Sequence, residues 1–160
     1  MSENDKQPAL GSALPPFVLA LIANVVWINA SEVFRYFALV MPMMREAFPT
    51  VPDVAPMSVP VFLVWGLWDT IVVLAATLVP WIASRAFGSS ILHFVGYGTG
   101  VWLGVFVVLW LGLLNMNLAT ANVLFVALPL AWIEMIVAAL IVWWFTVNRA
   151  NDSGRRMAAL

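Results

Sequence analysis

Long apolar segments alternate with short polar or proline-rich segments along this chain of 160 residues. Four apolar segments lie at about 17–41, 59–83, 91–114 and 121–147. Each is long enough for a helix that crosses a membrane, which needs about 20 residues. The pattern therefore predicts an all-α fold, an integral membrane bundle of four transmembrane helices.

Prolines and serines mark the ends of the predicted helices. The first helix is predicted to close at Pro42, where a proline-rich connector begins, because proline cannot continue the backbone hydrogen-bond pattern. Pro80 is predicted to bend or end the second helix. The segment 84–90 is predicted as a tight polar link, in which Ser89 or Ser90 caps the third helix.

The spans occupy nearly the whole chain and leave no room for a separate soluble domain. We expect a cytoplasmic tail over 1–16, a membrane domain over 17–147 and a second cytoplasmic tail over 148–160. The basic residues outside the spans fall mostly on one side, which by the positive-inside rule is the cytoplasm. They are Lys6, Arg85, Arg149, Arg155 and Arg156, against Arg45 alone on the other side. We therefore expect a protein of the cell inner or plasma membrane with both termini cytoplasmic.

The composition supports the classification as a membrane protein and excludes several functions. Hydrophobic residues make up 64% of the chain and charged residues only 9%, against about 25% charged in a soluble domain. The absence of cysteine excludes thiol catalysis and thiolate metal sites in this chain. A net charge of −1 gives no basis for binding nucleic acid. With a single histidine and no E-x-x-H pair, we predict no metal, no cofactor and no catalytic residue.

Four ionisable residues lie inside the predicted spans. Counting about 1.5 Å per residue from the outer ends, Arg35 lies roughly 9 Å deep, Glu32 roughly 14 Å, Asp69 roughly 15 Å and Glu134 roughly 20 Å. In a hydrocarbon layer about 30 Å thick, this places three acids and one base near the midplane. Each charge there costs about 2.5 to 3.5 kcal/mol, so we expect pairing, protonation or hydration.

The sequence suggests how these groups pair. Glu32 is three residues before Arg35 and four before Tyr36, and Ser31 is four residues before Arg35, so all four can meet on one helix surface. Asn29 adds an amide one turn below Glu32. Asp69, on the antiparallel second helix, is a further candidate partner for Arg35. Because one arginine cannot neutralise three carboxylates, we hypothesise that one acid is protonated at neutral pH or that a cation completes the site.

Tryptophans flank two of these acids. Trp65 and Trp68 precede Asp69, and Trp132 precedes Glu134. These tryptophans are candidate walls of a site for an organic cation; the alternative is that they only pack or anchor helices. The predicted ligand- or proton-binding residues are Glu32, Arg35, Asp69, Glu134, Asn29, Tyr36, Trp65 and Trp68.

Glycines recur at every fourth position of the third predicted helix. Gly96, Gly100 and Gly104 form a G-x-x-x-G-x-x-x-G pattern that lets another helix approach closely. We expect this face to pack tightly, either within the chain or in an oligomer.

Two functions remain open on this evidence. One is a small proton- or cation-linked transporter or channel-like component. The other is a non-catalytic accessory or assembly subunit, in which the same charges join helices or dock partners. An intramembrane enzyme or sensor for a lipid or quinone is a third, less supported function. We expect the bilayer as surroundings and a homo-oligomer or partner membrane subunits, because four helices enclose little space.

Overall fold

The computed structural model describes residues 14–148, which are helical apart from their connectors. Helix α1 spans Pro16–Ala47, α2 spans Val59–Phe87, α3 spans Ile91–Asn115 and α4 spans Ala121–Asn148. Each of the four is long and apolar enough to cross a membrane. The prediction of an all-α fold with four such helices is confirmed. The predicted tails, 1–16 and 148–160, lie outside the described residues except at 14–16 and 148.

Helix α1 continues beyond Pro42, so the prediction that it ends there is wrong. Its segment Tyr36–Val40 is π-helical, and the Met41 amide donates to the Tyr36 carbonyl five residues earlier. Proline donates no backbone hydrogen bond, and its ring crowds the preceding turn of an α-helix. The wider π turn directly before Pro42 gives the ring space, and the helix continues over Met41–Ala47.

The connection between α2 and α3 is shorter than predicted. Helix α2 passes through Pro80 rather than ending at it. The polar link expected over 84–90 is reduced to three residues, because its first half belongs to α2. Gly88 makes the turn with φ of 127°, a backbone conformation that favours glycine. The cap at Ser90 is confirmed, since its hydroxyl accepts from the backbone N–H of His93 at 3.4 Å.

Helix α4 lies at the centre of the bundle. It packs against each of the other three helices, most extensively against α3, whereas α1 and α3 meet at few points. Rings at Phe17 and Trp81 pair at one end of α1 and α2, and rings at Tyr36 and Trp65 pair further along. This order shows that the two helices run antiparallel. Helix α4 therefore has the best-buried surface of the four helices. On this surface the side chain of Glu134 lies close to polar residues of both α1 and α2.

The closest approach of α3 to α4 involves a glycine outside the predicted pattern. A Cβ atom at Gly98 would lie 2.6 Å from the backbone oxygen of Met135. Gly96, Gly100 and Gly104 are exposed, and a Cβ atom on any of them would meet nothing within 4 Å. The prediction that this face packs within the chain is therefore wrong for the described residues. Its packing in an oligomer stays a prediction.

Candidate functional site

The inward face of α1 is unusually polar. Its buried positions include Asn24, Ile28, Glu32 and Arg35, which recur at intervals of three or four residues. This spacing places all four on one side of a helix. Side chains that would be apolar in an ordinary core are here an amide, an acid and a base, so the core of the bundle contains a polar site.

Arg35 connects two acids from different helices. Its Nη1 donates to Oε2 of Glu134 on α4 at 3.1 Å, and its Nη2 forms an ion pair with Glu32 on α1. The Ser31 hydroxyl donates to the same Glu134 oxygen at 2.8 Å. Glu32 is only 4% exposed and Glu134 only 1%. The predicted pairing of Glu32 with Arg35 is observed, and Glu134 joins it.

Asp69 on α2 is the third acid of this group and is 6% exposed. It lies within electrostatic range of Glu32 and Arg35, but within residues 14–148 no hydrogen bond joins it to the arginine. Asp69 was a further candidate partner of Arg35, but the guanidinium bonds Glu32, as predicted, and Glu134. Oδ1 of Asp69 and Oε1 of Glu134 are buried without a hydrogen-bond partner in the described chain.

The site is short of positive charge. If all three acids were ionised, the single guanidinium would leave the group at −2. Buried charges are tolerated when they are paired and hydrogen-bonded, and an unpaired buried carboxylate is strongly unfavourable. The two unpartnered oxygens are the atoms at which a proton or an added cation would relieve this.

A cavity of about 190 Å³ adjoins the group between α1, α2 and α3. Two charged residues and five aromatic rings contribute to its wall. The lining residues are Glu32, Arg35, Tyr36, Val40, Trp65, Trp68, Phe106, Leu109 and Trp110. The Arg35 guanidinium carbon lies 5.0 Å from the centre of the Phe106 ring, so the arginine is held between its acids and an aromatic face.

The other predicted site residues divide into two sets. Tyr36, Trp65 and Trp68 line the cavity, as their place near the acids suggested. Asn29 does not take part, because its side chain is exposed and its amide donates to the Val25 carbonyl of its own helix at 2.8 Å. A shift of one residue along α1 from the buried position at Ile28 turns Asn29 away from the bundle.

Two groups of site residues were missed. Asn24 donates to Thr77 Oγ1 at 3.0 Å and to the Ala138 carbonyl at 3.2 Å. Its spacing of eight residues from Glu32 was a usable signal, since it places both on one helix face. Phe106 and Trp110 gave no signal, because nothing distinguishes them from other apolar residues of α3 until the helices are assembled.

The arrangement is suited to binding a proton or a cation. Within the described chain, no three acidic or histidine side chains are grouped as ligands of a metal ion. The features that can bind a proton or a cation are the two unpartnered carboxylate oxygens and, adjoining the same acid group at Glu32, a partly aromatic cavity. Comparisons of this chain with protein-family models, with curated proteins and with solved structures gave no match.

Proposed function

We propose that this chain is a four-span integral membrane protein that moves protons, or cations linked to protons, through the acid group formed by Glu32, Asp69 and Glu134. Arg35 holds two of the acids in place. Ionisable side chains inside membrane helices commonly mark ion or proton paths. The lengths and apolarity of all four helices support the placement in a bilayer.

One observation carries this proposal. Arg35 pairs with acids from two helices, Glu32 and Glu134, and a third acid, Asp69 on α2, lies within electrostatic range of it. Two buried oxygens of these acids, Asp69 Oδ1 and Glu134 Oε1, have no hydrogen-bond partner in the described chain. If the ion pairs served only to join helices, we would expect equal numbers of buried acids and bases. An unmatched acid instead favours a group that gains and loses a proton or cation during function.

Polar contacts extend from the acids in both directions along α1. The cavity reaches from Glu32 to Val40, roughly 12 Å along the helix axis, and so leads toward the outer end of α1. Asn24 and Thr77 lie a similar distance on the opposite side of Glu32 and bond each other. The proposed route of the ion follows these two sets of residues and has the acids between its two halves.

Proton flux through proteoliposomes tests the proposal. A pH-sensitive dye trapped in the liposomes reports the decay of an imposed pH gradient. Wild-type protein should speed this decay, and Glu134→Gln should slow it by at least about tenfold. Glu46→Gln is the matched control, because it makes the same change at an exposed acid outside the site. Equal flux in Glu134→Gln and wild type would remove Glu134 from the mechanism, and wild-type flux no faster than in empty liposomes would refute proton transport.

The proposed topology places both termini in the cytoplasm and the connector between α1 and α2 outside. Because the chain contains no cysteine, single cysteines can be labelled without background. A membrane-impermeant thiol reagent applied to intact cells should label Thr50→Cys in the connector and should not label Ser89→Cys between α2 and α3. The reverse pattern would invert the topology.

The second candidate function is that of an accessory subunit of a membrane complex. Two exposed features favour it: the glycine face of α3, formed by Gly96, Gly100 and Gly104, and the outward amide of Asn29. Both are features through which membrane helices associate. Purification in mild detergent separates the two functions. Stoichiometric partner proteins that are lost on Gly100→Ile favour assembly, and a homo-oligomer of this chain alone favours autonomous transport.

A further inference from the structure

We propose that the cavity beside the acids binds a small alkylammonium ion, a cation of the size of tetramethylammonium. The inference rests on the proposed function, because the acid group supplies the negative charge. It goes further by naming the chemical class that the cavity accepts. Three properties of the wall carry it: its charge, its aromatic rings and its size.

The charge of the group favours a cation. Glu32 lines the cavity. Asp69 and Glu134 do not line it but belong to the same acid group, and each has a buried oxygen without a hydrogen-bond partner in the described chain. The single base, Arg35, is already engaged by two acids and by the ring of Phe106. A cavity with walls of low dielectric constant concentrates the field of such a group, so it attracts positively charged ligands.

The rings of the wall favour an organic cation over an inorganic one. The indoles of Trp65, Trp68 and Trp110 line the cavity, and in residues 14–148 none of them donates a hydrogen bond. Tyr36 packs edge-on against Trp65 with ring centres 4.3 Å apart, which fixes the orientation of both. Aromatic faces attract quaternary ammonium groups, which cannot form hydrogen bonds and carry their charge on a methyl surface.

The volume limits the size of the ligand. About 190 Å³ is below the 300 to 1,000 Å³ of pockets for drug-sized molecules. It equals the volume of about six waters at roughly 30 Å³ each. A small alkylammonium ion therefore suits this cavity better than a bulky aromatic cation.

A larger pocket elsewhere shows the contrast. A groove of about 400 Å³ between α3 and α4 is lined by Trp102, Phe125, Trp132 and other apolar residues, with no acid among them. It suits an apolar chain and offers nothing to balance a positive charge. Trp132 is therefore a control tryptophan outside the proposed site.

Fluorine NMR of the full chain labelled with 5-fluorotryptophan tests the proposal. Tetramethylammonium chloride should shift the signals of Trp65, Trp68 and Trp110 saturably, relative to sodium chloride at equal ionic strength. The signal of Trp132 should stay unchanged. The neutral analogue tert-butanol should give no saturable shift. A response to tert-butanol equal to the response to the cation, or no response to either, would overturn the proposal.

Substitutions sharpen the test. Trp68→Leu should weaken binding of tetramethylammonium by about tenfold, which is within the range of one cation–π contact. Trp68→Phe should weaken it less, because a ring remains, and Trp132→Leu should leave it unchanged. Thermal unfolding checks that both proteins are folded. Equal affinities of Trp68→Leu and wild type for tetramethylammonium would then refute the aromatic site.

The two proposals fail in distinguishable ways. Proton flux that depends on Glu134, without any tetramethylammonium response, retains the proposed function and overturns the cation site. Saturable binding that depends on Trp68, without proton flux either in the absence or in the presence of tetramethylammonium, retains the cation site and overturns transport. Tetraphenylphosphonium, which exceeds the cavity, should not compete with tetramethylammonium, and competition at similar concentration would overturn the size limit.

Discussion

Arg35 on α1 and Glu134 on α4, separated by 99 residues in the chain, are joined by a hydrogen bond of 3.1 Å in the core. The same guanidinium also pairs with Glu32 on its own helix. One base therefore pairs with two acids and links α1 to α4. The stability of the bundle and the protonation of its acids should both depend on this arginine.

Removal of the base should destabilise the protein. Arg35→Gln leaves Glu32 and Glu134 buried without their charged partner, and loss of one member of a buried pair costs about 3 to 5 kcal/mol. We expect a clear fall in the free energy of unfolding, measured by denaturation in detergent. Adding Glu134→Gln to this variant should recover part of the loss, because it removes one of the two orphaned charges.

Arg45→Gln is the control for this experiment. Arg45 is exposed, and its long contacts of 3.4 and 3.5 Å to connector carbonyls should contribute little. We expect a change within about 0.5 kcal/mol, as for most surface substitutions. If Arg35→Gln were as mild as Arg45→Gln, the buried ion pairs would have no structural role.

Asp69 should respond in the opposite way. Its buried Oδ1 has no hydrogen-bond partner in the described chain, so neutralising it removes an unfavourable charge or replaces a protonated acid by a group of similar shape. Asp69→Asn should therefore not lower the melting temperature, in contrast to Arg35→Gln. A fall of more than about 1 kcal/mol in the free energy of unfolding would mean that the Asp69 carboxylate makes a favourable charge interaction in the native protein.

Infrared spectroscopy measures the protonation of the acids directly. The group contains three acids and one base, so in cation-free protein at neutral pH we expect at least one protonated carboxyl, visible as a carbonyl band. Glu134→Gln or Asp69→Asn should change this band, whereas Glu46→Gln should leave it as in the wild type. A spectrum with all three acids ionised would contradict the charge argument.

Asn24 and Asn29 provide a matched pair on one helix. Asn24 is fully buried and donates to Thr77 and Ala138, whereas Asn29 is exposed and bonds only its own helix. Asn24→Ala should lower the free energy of unfolding by about 1 to 3 kcal/mol, because Thr77 and the Ala138 carbonyl lose their donor. Asn29→Ala should change it by less than about 0.5 kcal/mol. Equal effects would contradict the assigned faces of α1.

Sequence patterns predicted the elements of this fold better than their contacts. Four apolar segments were enough to locate the helices, and the spacing of Glu32 and Arg35 was enough to place them on one helix face. The choice between Asp69 and Glu134 as the partner of Arg35 depends on how three helices pack, which the spacing along one helix does not encode. The continuation past Pro42 depends on the π turn at Tyr36–Val40, which the residue types of that segment do not indicate.

The glycines of α3 show the same limit. The pattern of Gly96, Gly100 and Gly104 is periodic, but Gly98 is the glycine of α3 that lies against the α4 backbone. Gly98→Ala would place a Cβ atom against the Met135 backbone, so the helices must separate, and we expect a loss of about 1 to 3 kcal/mol. Gly100→Ala meets open space and should be neutral or slightly stabilising. Thermal unfolding in detergent compares the stabilities of the two variants. If Gly100→Ala were the less stable variant, the face of α3 assigned to the contact with α4 would be wrong.

The exposed glycine face predicts self-association through α3. If copies of this chain pack there, Gly100→Ile should weaken the association by at least about tenfold, because the side chain keeps the two helices apart. Gly66→Ile is the matched control, since Gly66 on α2 also faces open space. Photobleaching of labelled protein in liposomes counts the subunits, and the folded monomer should be equally stable in both variants. An oligomer that survives Gly100→Ile would show that the subunits meet elsewhere, with the outward Asn29 on α1 as the next surface to test.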